Sequence, residues 1–288
     1  MNRKLAILYL VITAILWSTA GLFIKWVPWN PIALAGLRSG IAGLVLVLFW
    51  FFKYRIKIPR PSKAVVLGAV NYALLVTLFV SANKLTTSAN AILLQFTAPV
   101  WVLLIGRIFY KEKANRRDII TVAAVFAGMS LFFVGKLELG NMIGNILAVI
   151  SGISMAVMIL NLNKLKGHKP IEIIIWGNLL MFLISIPFWG GITLEPKAIG
   201  GILFLGIFQL GIAYAFYTAG IQHVTALEGI LIPVLEPLLN PVWVFIGVGE
   251  KPSMMALIGG IIVMAAVVLR NVAAARSGKG REPDPAGR

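Results

Sequence analysis

There is no cysteine among the 288 residues. That removes disulfides, thiolate metal sites and cysteine nucleophiles, and it leaves the redox compartment unreadable. Histidine occurs only as His168 and His223. Both fall in expected loops without a partner at metal-ligand spacing, so no metal site is expected. Asp118 and Asp284 are the only aspartates, too few to cluster around magnesium and a prenyl diphosphate. No glycine-rich loop with a lysine is present to cradle phosphates, which argues against direct ATP coupling. No defensible catalytic pair remains, and neither an enzyme nor a cofactor is expected. Charge is scarce as well: Asp, Glu, Lys and Arg make up 12% of the chain. A soluble domain carries about twice that. No long polar stretch interrupts the sequence before its tail, so there is no room for a separate soluble domain.

What is abundant is hydrophobic sequence, at 59% of residues. Apolar runs of roughly 20 residues recur from end to end, each long enough to cross a hydrocarbon core of about 30 Å. The runs predict about ten transmembrane helices, near 5–23, 32–52, 64–80, 88–105, 119–134, 142–160, 171–189, 200–218, 227–248 and 254–272. The start, Met1-Asn2-Arg3-Lys4, resembles a signal peptide, but no small-residue cleavage site follows, and Trp17 and Lys25 fit a retained first span. The net charge of +16 sits in short basic clusters between the runs, a pattern of cytoplasmic loops rather than of nucleic-acid binding. With the N-terminus inside, 20 of the 26 lysines and arginines fall in inner segments and five in outer ones; Arg38 lies within a span. That bias predicts an even number of spans, with both termini cytoplasmic and the protein in the cell membrane. Trp26, Trp29, Trp50 and Trp189 fall at span ends, as an interfacial aromatic belt would place them. Residues 275–288 are rich in Gly, Pro and charge and read as a disordered cytoplasmic tail.

The sequence also repeats itself at an offset of 136 to 139 residues. Asn30-Pro31-Ile32 with Phe49-Trp50 matches Lys169-Pro170-Ile171 with Phe188-Trp189, and Gly68 matches Gly206. Thr87, Leu93, Pro99, Glu112 and Lys113 match Thr225, Leu231, Pro237, Glu250 and Lys251. Ser18 and Ala20 match Ser154 and Ala156. The expected units are therefore 1–137 and 138–274, each of five helices. An odd number of spans per unit inverts the second relative to the first, about an axis in the membrane plane. The expected fold class is an all-α membrane protein made of two inverted five-helix repeats, a form suited to alternating access.

The run Ile15-Leu16-Trp17-Ser18, the stretch 89–113 with Pro99 and Glu112, and the pairing of Leu235-Glu236-Pro237 with Gly249-Glu250-Lys251 carry a family resemblance. Pro99 to Glu112 and Pro237 to Glu250 both span 13 residues. In order, spacing and duplication the chain resembles the drug/metabolite transporter superfamily, specifically the EamA-type ten-span exporters, over residues 5–272. One departure is Ser151-Gly152-Ile153-Ser154, where such proteins often carry a tryptophan. The resemblance implies transport of a small-molecule substrate across the lipid bilayer, by a monomer or homodimer, without naming the solute.

Charge inside hydrocarbon is costly, so each intramembrane charge is a candidate for function. Glu236 and Glu228, in the ninth span, are the candidates for binding substrate or protons, and Arg38, in the second, for binding a carboxylate or pairing with a glutamate. The alternative readings are helix locking for Glu236, an interfacial position for Glu228 and snorkelling toward Trp29 for Arg38. Pro99, Pro233, Pro237 and Pro241 are expected to break helices; the last three free the carbonyls of Gly229, Pro233 and Pro237. Trp17, Ser18, Tyr72, Asn90, Gln95, Thr97, Trp176, Gln209, Tyr214 and Tyr217 are candidate cavity-lining residues, against the blander possibility that they pack or glue helices. In the repeat Asn90 corresponds to Glu228 and Ala98 to Glu236, which confines the acidic chemistry to the second half. The leading expectation is a secondary transporter, an exporter of small metabolites such as amino acids or amphiphilic drugs. The alternatives are a channel or a membrane enzyme acting on lipid-linked substrates.

Overall fold

The computed structural model describes residues 1–55, 58, 60–86, 88–111, 115–132, 142–165, 169–239, 243 and 254–276. Among these there is no strand. The elements begin and end where local chemistry directs. Helix α1 (Arg3–Trp17) is capped by Asn2, whose side chain accepts the Leu5 N–H. It stops where the Ser18 and Thr19 hydroxyls donate to the carbonyls of Ile15 and Leu16. Such local bonds compete with helix continuation, and α2 (Ala20–Trp26) starts afresh. Helix α3 (Pro31–Tyr54) has Asn30 as its cap and proline in its first turn, where no N–H is missed. It ends on Arg55 at φ 53°. Ser62 caps α4 (Lys63–Leu85). Then come α5 (Ser88–Gln95), α6 (Ala98–Tyr110), α7 (Arg116–Phe132), α8 (Met142–Lys164) and α9 (Lys169–Ser185), which tightens into a 3₁₀ turn at Ile186–Phe188. The turn that follows uses Gly191 at φ 81°.

Helix α10 (Pro196–Phe204) widens into a π-helix over Leu205–Ile212 before α11 (Ala213–Gly220). Helix α12 (Ala226–Leu231) gives way to a 3₁₀ turn at Ile232–Val234 and then to α13 (235–239). Helix α14 (Met254–Arg276) carries the chain one residue past the expected start of the tail. Among the described residues, six helical stretches are long and apolar enough to span a membrane: Arg3–Ile24, Pro31–Tyr54, Lys63–Leu85, Met142–Lys164, Lys169–Phe188 and Pro196–His223. Ala98–Tyr110 and Ile258–Leu269 are apolar but shorter. The outer surface is apolar too, with Phe52 73% exposed, Phe109 74% and Leu269 68%. Surface of that kind is stable against lipid, not water.

Small residues bring the helices together. On α3, Gly36 and Gly40 stand four apart, and a methyl group at either would overlap Ser185 or Phe182 of α9. Close approach through glycine is how helices gain van der Waals contact where lipid offers no hydrophobic drive. A methyl at Gly128 of α7 would come within 2.9 Å of the Gly259 carbonyl of α14. The main contacts are exchanged between the two halves. Helix α4 packs on α8 as α11 packs on α1, and α4 on α9 as the π-helix packs on α3; α3 with α9, and α7 with α14, join corresponding helices.

Two of the expected belt tryptophans are corrected by the packing. Trp29 is 6% exposed, and its indole N–H donates to the Thr193 carbonyl at 3.1 Å. Trp50 is 1% exposed and lies against Tyr54. Trp29 is held by a distant segment that a span-by-span reading cannot see, and Trp50 is buried in the packed core.

Candidate functional site

One cavity, of about 420 Å³, lies where seven of the expected spans meet. It is lined by Trp17, Arg38, Leu75, Val76, Phe79, Gln95, Met155, Gln209, Leu210, Tyr214 and Glu236. Every one of these is less than a tenth exposed. The two long walls correspond in the repeat: Val76 and Phe79 of α4 stand where Tyr214 and Tyr217 stand on α11, at an offset of 138. The α4 wall is apolar, while Arg38 and Gln95 also come to the lining from the first half. The second-half wall carries Gln209, Tyr214 and Glu236.

Breaks in the helices shape this space. The turn at Phe96 and Thr97 divides α5 from α6 just before Pro99, and the 3₁₀ turn at Ile232–Val234, with Pro233, divides α12 from α13. These two breaks also correspond at 138. The expected free carbonyl at Gly229 is satisfied by the Tyr217 hydroxyl, which donates to it at 3.0 Å. Pro237 falls in the first turn of α13, where its missing N–H leaves no bond unmade. Pro241 lies outside the described residues, as do Glu112, Lys113, Glu250, Lys251 and His168.

Six of the residues singled out from sequence meet at the cavity: Trp17, Arg38, Gln95, Gln209, Tyr214 and Glu236. Arg38 is 2% exposed, and Nη1 donates to Gln209 Oε1 at a long 3.4 Å. Its Nε, like the Trp17 indole nitrogen, is buried without a hydrogen-bond partner among the described residues. Glu236, 7% exposed, makes no ion pair there: the only one among the described residues joins Arg3 to Glu228. Arg38 and Glu236 thus share a cavity without neutralising each other.

The other candidates are placed elsewhere. Glu228 accepts the Thr225 N–H at 2.9 Å and receives Arg3 Nη2 at 2.7 Å, closing a capping box at the start of α12. Tyr72 donates to Asn178 at 3.2 Å and meets the Tyr214 ring edge-on. Ser18 accepts the Trp243 indole N–H at 2.7 Å. Thr97 donates to the Leu94 carbonyl at the helix break. The Trp176 indole N–H is buried without a partner among the described residues, away from the cavity lining. The side chain of Asn90 lies outside what is described.

Sequence reasoning missed two features. Glu172, in the first turn of α9, is a fourth buried charge at 7% exposure. The π-helix that turns Gln209 and Leu210 into the cavity has no signal in hydropathy. Insertions of this kind recur at functional sites. The departure at 151–154 also gains a reason. A side chain at Gly152 would come within 2.7 Å of the Gln95 carbonyl, so glycine lets α8 reach the broken strand of helix where Gln95 Nε2 donates to Ser151 at 2.7 Å.

A profile of the EamA-like transporter family matches residues 4–134 and again 142–272. The chain belongs to the EamA-like transporter family. An uncharacterized transporter of Archaeoglobus fulgidus is 28% identical over 285 residues, covering 93% of this chain and 98% of that protein. A second from the same organism is 24% identical, covering 90% and 94%. The uncharacterized transporter YdfC of Bacillus subtilis is 24% identical, covering 88% and 86%. A solved structure described only as a crystal structure of a protein superposes with a TM-score of 0.82 at 18% identity, over 96% of this chain and 100% of that one, which shows a shared fold. The two matches start 138 residues apart, one in each half of the chain. This EamA-family protein is a membrane transporter with a small-molecule substrate.

Proposed function

We propose that the chain is a secondary exporter of small zwitterionic or amphiphilic metabolites, amino acids among them, working by alternating access. In this reading ten spans form two inverted repeats, with both termini in the cytoplasm. The observation that carries the proposal is the pair of buried, mutually unneutralised charges, Arg38 from the first half and Glu236 from the second, on one cavity. A charge at the centre of a membrane helix costs roughly 2.5–3.5 kcal/mol on insertion scales. Two opposite charges that decline to pair are accounted for by a ligand that meets both. A substrate carboxylate suits Arg38 and the unpartnered Trp17 N–H; a substrate ammonium, or a proton, suits Glu236. The apolar wall of Leu75, Val76, Phe79 and Met155 suits the solute's hydrocarbon part.

The exchange of packing partners between the halves supports alternating access, since two inverted units can swap conformations about a fixed site. The test is flux of a panel of amino acids, cations and dyes into liposomes, with and without a pH gradient. Glu236→Gln should abolish flux of the solute identified, and unchanged flux would remove that residue from the path.

A further inference from the structure

We infer that Arg3 and Glu228 form the gate that closes the inner end of the transport path, an assignment that rests on the transporter reading above. The two residues are 225 positions apart and belong to different halves. Their side chains meet at 2.7 Å, Glu228 only 3% exposed and Arg3 22%. A partly buried pair of this kind holds two helices in register, and breaking it leaves a charge stranded. Each partner sits on an element that leads to the cavity. Arg3 opens α1, which delivers Trp17 to the cavity wall. Glu228 belongs to α12, separated from Glu236 by the 3₁₀ turn at Ile232–Val234.

A second contact closes the circuit between gate and cavity. The Tyr217 hydroxyl donates to the carbonyl of Gly229, next to the gate carboxylate, while its ring lies 5.0 Å from that of Trp17. Trp17 also touches Tyr214, 5.1 Å away on the cavity wall. A solute that presses on Trp17 or Tyr214 therefore acts on the same helices that the ion pair ties together. The six-residue α12 is a short lever, and the turn at Pro233 is its hinge, a helix-end position able to absorb a change of direction. Opening the inner end swings α12 from α1 and parts Arg3 from Glu228; Glu236, beyond the hinge, stays at the cavity.

The absence of native cysteine makes the test clean. A single cysteine is placed at Val76, and its labelling by a membrane-impermeant maleimide is timed from each side of oriented vesicles, without substrate. Arg3→Gln and Glu228→Gln should each speed inner-side labelling by about fivefold or more, the lower range of a coupling between sites. Glutamine at the third helical position retains a capping box, so Glu228→Gln removes the charge while keeping the helix start. The double exchange Arg3→Glu with Glu228→Arg should return labelling to within about twofold of the parent. Unchanged labelling in both single variants overturns the gate, as does a double exchange no slower than either single. Flux is measured separately in the chain without the reporter cysteine. Labelling that shifts as expected in a protein that carries no solute keeps the gate and rejects the transporter reading.

Discussion

Glu228 and Glu236 stand eight residues apart on one proline-rich stretch, and their surroundings differ in kind. The Glu228 carboxylate accepts from the Thr225 N–H, in the capping box that starts its helix, and from Arg3. Glu236 faces a cavity and has no ion-pair partner among the described residues. The difference comes from the turn between them. An unbroken helix would keep the two carboxylates about 80° apart around one axis, whereas the 3₁₀ turn at Ile232–Val234 lets each half of the stretch follow its own neighbours. A charge with partners holds structure, and a charge without them is available to a ligand.

The comparison can be broken by experiment. Glu236→Gln should lower flux about a hundredfold, roughly 2.7 kcal/mol of lost transition-state or binding energy. Its thermal midpoint in detergent should hold or rise, because an unpaired buried charge costs stability; a clear fall would place Glu236 among the structural residues. Arg38→Gln should weaken competition by carboxylate-bearing solutes about tenfold, roughly 1.4 kcal/mol, and leave purely cationic solutes less affected. Equal loss for both classes would make Arg38 a packing residue. Tyr217→Phe strands the buried Gly229 carbonyl and should cost about 1–2 kcal/mol of stability, read as a lower thermal midpoint. Glu228→Ala removes both cap and ion pair and should cost about 1 kcal/mol, with flux falling less than in Glu236→Gln. A reversed order of flux between these two glutamates would reverse their roles.

Much of this was legible in the residues. Hydropathy located the long helices to within a few positions, since a lipid-spanning helix must satisfy its own backbone and so announces itself by length. The offset of the repeat pointed to an internal duplication, and the family model matches the chain twice. The buried charges Arg38 and Glu236 were visible because charge in an apolar run has few explanations. What did not show was which polar residue would turn inward. Ser18 and Thr97 sit beside cavity residues in sequence, yet they serve helix breaks and interhelical bonds. Glu172, at the start of α9, was not singled out, and its burial follows from the packing of that helix.

The sequence by itself determined that this chain lives in a membrane, that it is built twice over, and that two opposite charges are buried within it. These follow from composition and spacing, which act along the chain. Only the tertiary structure decided that Arg38 and Glu236 share a cavity without pairing, that Tyr217 answers the carbonyl freed by Pro233, and that Glu228 belongs to Arg3. Each of those depends on a contact between residues distant in sequence, and on breaks and a π-turn whose direction is set by what packs against them.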